Sequence, residues 1–327
     1  MSEGRTTTRP APCARLICGA LALLGAVAAP APASAQRTPD ALAETCTTAG
    51  GSASACGLAG AVALAAQGRL ALLGGLGSEI AGTATTLGTR VQGGPRLTFT
   101  GRAALAGGGL PDPGSPLGDV GGSARALHAE AAIGLFEGFR LMPTVGGFLS
   151  VDAFGRAAFV FLPESGGYPG RTSVYTAGVR VGILREGFTL PGVSLSASRR
   201  FVGGADVGGA GDEVRVRVDP GVSSIRATVG KDVFAVEWLA GFGWDDFGGD
   251  VAVTASDGAA GSVELAGAVD GSRRIWFASA SRTFSIVLNV ALEAGWAEGF
   301  DPIASYAGDY DPTARVLFGG VSARLVF

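Results

Sequence analysis

One histidine occurs in the 327 residues, His128, and Glu130 stands two positions on, with Ser123 nearby. A His and a carboxylate two apart share one face of a strand, where the acid could orient the ring as a base for a serine. No spacing marks a nucleophile, and a hydrogen-bonded interior His explains the same residues, so no catalytic residue is assigned. A second chemistry comes from charge. Arg96, Arg102, Arg156, Arg180, Arg200, Arg226 and Arg324 alternate with apolar neighbours, and Glu130, Asp152, Glu237 and Glu293 fall on the same faces. Ranked along an interior, they could form a slightly basic constriction favouring small anionic solutes. They could equally pair with one another and fill that interior, since unpaired buried charge is costly. A third set is acidic: Asp245, Asp246 and Asp250, then Asp301, Asp309 and Asp311. Oxygen ligands at that density suit Ca²⁺, but the spacing of a dedicated loop is missing, and these read as solvated external loops. No metal or cofactor is implied.

Cysteine usage and the leader indicate the compartment. Arg5, Arg9 and Arg15 precede an apolar run from Leu16 to Ala29, and Ala33-Ser34-Ala35 fits a small-residue cleavage site. Residues 1–35 therefore read as a signal peptide, leaving Gln36 as the mature end. Beyond it lie 22 basic and 27 acidic residues, a balance that argues against nucleic-acid binding. Cys46 and Cys56, in an oxidising compartment, predict one local disulfide; two unpaired thiols are the alternative.

The elements that must carry the charged faces are strands. From Phe284 to Trp296 every even position is apolar, and the odd ones hold the polar and small residues, Asn289 and Glu293 among them. Twelve steps of about 3.3 Å, tilted about 40–45°, rise roughly 28–30 Å, close to the ~25 Å apolar band of a transmembrane barrel. Glycine, 55 of 327 residues, has no collagen period, and no run of about 18 apolar residues suggests a spanning helix. Similar alternation recurs along the chain. Short connections near 186–192, 230–232 and 282–283 alternate with long ones at 107–122, 203–221, 245–271 and 298–312, as in bacterial barrels. Arg69–Gly77 and Thr85–Val91 complete a first hairpin. Residues 36–66 read as a short helix from Pro39-Asp40 followed by a compact irregular stretch, either a periplasmic extension or a plug.

The last strand carries Leu317, Val321, Ala323, Leu325 and Phe327 on one face, opposite Ser322 and Arg324. An alternating terminal strand ending in Phe resembles the assembly signal of bacterial outer-membrane β-barrel proteins. That resemblance implies Leu325 and Phe327 as the signal, the barrel-assembly machinery as a partner during biogenesis, and outer-membrane lipid as surroundings. The expectation is an all-β, antiparallel up-and-down transmembrane barrel of about twelve strands (ten to fourteen fit) over residues 67–327. It would be a porin-like passive channel for small solutes, not an enzyme, or else a closed barrel acting structurally or through its external loops.

Overall fold

The computed structural model describes residues 37–77, 90–91, 94–139, 147–259, 261–284 and 288–327. The predicted signal peptide lies outside them. Ten strands form the wall: β1 (Leu97–Ala106), β2 (Ala124–Phe136), β3 (Ser150–Phe161), β4 (Thr172–Leu184), β5 (Gly192–Val202), β6 (Val214–Val233), β7 (Val236–Ser256), β8 (Ser262–Thr283), β9 (Leu288–Ala297) and β10 (Val316–Val326). Each pairs antiparallel with its chain neighbour. Two further pairings, β10 with β1 and Phe327 with Leu97 through reciprocal backbone bonds, close the ring. A three-residue strand, Ala205–Val207, adds to the start of β6.

Ten strands fall within the expected ten to fourteen, and among the described residues the predicted first hairpin contributes none of them. Arg69–Gly77, taken for a strand, forms the end of a helix and the turn after it. Of Thr85–Val91, residues 85–89 lie outside the described residues, and Arg90–Val91 pair with Gly94–Pro95. The N-terminal segment is instead two helices, α1 (Pro39–Thr48) and α2 (Ala53–Gly75). Thr38 caps the first by accepting from the Ala41 amide, and Ser52 caps the second by accepting from the Ala55 amide. The Cys46–Cys56 disulfide joins them.

Every residue of α2 from Ala55 to Gly75 is buried. A helix that is apolar all round apart from Gln67 and Arg69 needs cover on all sides, and the barrel and its connections supply it. Glycine lets this helix sit close to its sheath. A Cβ on Gly57 would collide with the Ser305 backbone, and one on Gly75 with the Arg200 guanidinium. At these positions the missing side chain lets neighbouring groups approach the helix axis closely.

The predicted connections at 203–221 and 245–271 are also largely strand. β6, β7 and β8 run 20, 21 and 22 residues and rise past the rest of the wall. Val214, Val216 and Val218 of β6 and Val251 and Val253 of β7 form one apolar cluster with Leu42, Leu58 and Val62 of the helices. Bonds from the Ser52 amide to the Ser256 carbonyl (2.9 Å) and from Asp270 to Arg37 (2.8 Å) tie the helices to this extension. The turn predicted at Gly230–Asp232 falls at Phe234–Ala235, both with positive φ (55° and 63°). That left-handed pair matches the twist of a two-residue hairpin. Of the stretch read as Phe284–Trp296, residues 285–287 lie outside the described residues; Phe284 donates to the Leu288 carbonyl, and the described strand runs Leu288–Ala297.

The connections sort by end. Among the described residues, 137–139, 147–149, 185–191, 234–235 and 284 lie at the end holding Leu97 and Phe327; 107–123, 162–171, 203–213, 257–259, 261 and 298–315 lie at the other. The helices pack at that second end, so α2 enters the barrel from there. Around the outside, Phe242, Trp276 and Trp296 are register neighbours on three strands, their rings 4.7 and 6.5 Å apart in succession.

Candidate functional site

The lumen is where the predicted charged residues meet, and it is occupied. Arg102, Glu130, Arg156, Arg180, Arg200, Arg226, Glu293 and Arg324 are buried; Arg96, Asp152 and Glu237 are half-buried. Period-two alternation sends them inward while Leu127, Leu292, Trp296, Leu317 and Leu325 face outward.

Three carboxylates organise most of the arginines. Glu130 accepts from Arg156 at 2.5 Å through one oxygen and from Arg180 at 2.7 Å through the other. Glu293 takes both terminal nitrogens of Arg102, the shorter bond 2.8 Å. Asp245 takes Arg200 and Arg226, each at 2.7 Å, and a bond from the Ser224 hydroxyl. Asp245 was assigned to an external acidic loop, but β7 continues through it and turns it inward. Its side chain and that of Arg200 are each 1% exposed. Nearer the Leu97–Phe327 end, Ser281 donates to Glu237, Asn289 donates to Ser281, and Arg324 lies 4.0 Å from Glu237. Asp152 is the register partner of Arg180, and only about 10 Å³ stays open among Arg96, Asp152, Arg180 and Arg324.

The end of α2 is seated in this network. Arg156 donates to the Leu76 carbonyl at 3.3 Å, and Arg200 donates to that of Ala71. The Leu76 carbonyl, at the C-cap, lacks an intrahelical partner, and this end of the helix carries partial negative charge. Guanidinium groups therefore neutralise the helix end as well as the carboxylates. Arg69, which sequence reading placed on a strand, reaches outward from the helix instead. It donates to the carbonyls of Gly107 at 2.7 Å, Gly108 at 3.2 Å and Gly109 at 3.1 Å. Arg273, also missed, lies over the Phe300 ring at 4.2 Å. The residue pattern Val-Arg-Val-Arg-Val at 214–218 could have revealed the long strands; nothing local reveals where Arg69 points.

The His128–Glu130 pair does not form a catalytic constellation. Glu130 is taken by two arginines, His128 is buried opposite Arg102, and Ser123 is exposed beyond the strand end. Among the described residues no three His, Cys, Asp or Glu side chains converge as metal ligands. Leu325 and Phe327 face outward, and Phe327 sets its ring edge-on to Phe99 at 6.1 Å beside the seam that closes the barrel.

No family model matches the chain, and no curated protein does. Among solved structures, it is similar to the translocator domain of the autotransporter NalP from Neisseria meningitidis. Identity there is 13%, coverage 71% of this chain and 88% of that one, and the TM-score 0.41. The transport unit of the autotransporter AIDA-I from Escherichia coli aligns at 9% identity over 82% and 99%, TM-score 0.34. The outer membrane protease OmpT from Escherichia coli aligns at 12% over 71% and 96%, TM-score 0.33. Values this low add nothing to the barrel already described by its own strand pairing.

Proposed function

We propose that this protein is a bacterial outer-membrane barrel kept closed by its own N-terminal helix, with its exposed end available for contact. Membrane insertion is supported by the outward row of Phe242, Trp276 and Trp296, by the leader-like N-terminus, and by the resemblance of the Phe327 strand to an assembly signal. On that resemblance the Leu97–Phe327 end is periplasmic, which puts α1 and the first half of α2 outside the cell.

One observation carries the closed state: α2 is buried along its length while the Arg–carboxylate network fills the space beyond its end. An open passive pore, the other reading of the same arginines, requires that helix to leave. Single-channel recording in planar bilayers tests this. The full chain should be silent, and a variant lacking residues 37–77 should conduct. Steady conductance from the full chain, equal to that of the shortened one, would overturn the closed barrel and favour a pore for small solutes.

A further inference from the structure

Among the described residues, the outer wall carries an open apolar recess. A groove of about 1110 Å³ runs across β9, β10, β1 and β2 below the connection that follows β3. Ala103 and Gly319 lie along its floor, and Leu105, Leu127, Leu292 and Val321 flank it. Gly319 owes nothing to backbone strain, and a Cβ there would meet only the Glu293 carbonyl, at 3.4 Å. The small residue leaves depth that a larger one would fill. The flanking leucines are among the most exposed large side chains of the molecule, Leu105 at 56% and Leu292 at 63%. In a membrane such a recess must be filled by hydrocarbon, because neither water nor a void is tolerated against that much apolar surface.

The rim toward the long-connection end is polar. Ser123, Arg125 and Glu164 line it. Arg125 is exposed and paired in register with Phe161. Close by, the Arg171 guanidinium lies 5.2 Å from the centre of the Phe159 ring, and Phe159 is the register partner of Leu127 in the groove wall. An exposed guanidinium at the rim, with a second on the adjoining Phe159 ring, suits a phosphate above acyl chains. Glu164 repels a bare anion cluster but accepts hydroxyl donors, so the complementary head carries hydroxyls beside its phosphate.

We infer that this groove binds one acyl lipid whose head group bears a phosphate and hydroxyls. The chains lie over Ala103 and Gly319, and the phosphate is held by Arg125 and Arg171. The inference rests on the membrane-barrel reading, whose failure shows separately in membrane fractionation and heat-modifiable gel mobility of the wild type. The test is native mass spectrometry of the full chain released from mild detergent, with phosphatidylglycerol added and phosphatidylcholine as control. The wild type should retain a single phosphatidylglycerol at least fivefold more often than phosphatidylcholine. Gly319→Phe should lose both, and the double variant Arg125→Ala/Arg171→Ala should bind the two lipids alike. Equal retention of the two lipids by the wild type, or undiminished retention by Gly319→Phe, overturns the proposal. Ala103→Leu narrows the same floor, serves as the second variant should Gly319→Phe fail to fold, and carries the same expectation.

Discussion

The two halves of the interior are packed by opposite means. Toward the long connections, Leu58 and Val62 of α2 meet Val214, Val216, Val251 and Val253 in an apolar layer of helix on sheet. Beyond the helix end, arginines and carboxylates fill the space through a few short charge-assisted bonds. Apolar packing is forgiving: a lost methyl costs transfer and cavity energy and leaves neighbours satisfied. A buried ionic network is less so, because each member removed strands its partners. The contrast suggests that the ionic half governs whether the barrel forms, while the apolar half governs how tightly the helix is held.

The sharpest way to break that contrast is Glu130→Ala, which leaves Arg156 and Arg180 side by side in the interior. A loss of about 3–5 kcal/mol is expected, read in urea-dependent loss of heat-modifiable mobility; Leu58→Ala should not reproduce it. That second change should cost about 2–4 kcal/mol but act locally. Protease should cut within residues 37–77 sooner while the barrel keeps its mobility, and concurrent loss of barrel mobility would show that the halves are not separable. The smallest effect concerns the junction of α1 with the 298–315 connection. Burial alone would raise the Asp40 carboxyl, but hydrogen bonds from Ser305, its amide at 2.8 Å, hold it below its usual value. A depressed acid contributes stability above its unfolded value of about 3.9 and loses it as pH falls through the folded value. The rate at which a phosphine reductant opens Cys46–Cys56 should therefore rise modestly below about pH 4, and Asp40→Asn should flatten that rise.

Periodicity made the wall legible and the interior only partly so. Arg102, Glu130 and Glu293 could be placed inward because a period of two assigns a face without knowledge of the partner strand. Their pairing could not, since Arg102 and Glu293 stand on strands joined only through the closing seam. The helix was lost for a different reason. Gly57, Gly60, Gly68, Gly74 and Gly75 disfavour a helix by local propensity, and only the closeness of the barrel wall makes them an advantage. Asp245 was misplaced because Gly243 and Gly248–Gly249 around it look like loop residues, although Gly243 makes room for the Arg226 side chain.

Helix α2 enters from the long-connection end, whereas β1 begins at the opposite one. Such a placement constrains the order of events in biogenesis. With α1 folded and the disulfide formed, the N-terminal segment is two helices thick, although only the end of α2 reaches the arginines of the lumen. Either the β10–β1 seam shuts around a helix already in place, or the segment passes through extended and is oxidised only on arrival. The Cys46–Cys56 bond then fixes both helices as one body, so that whatever moves one moves the other.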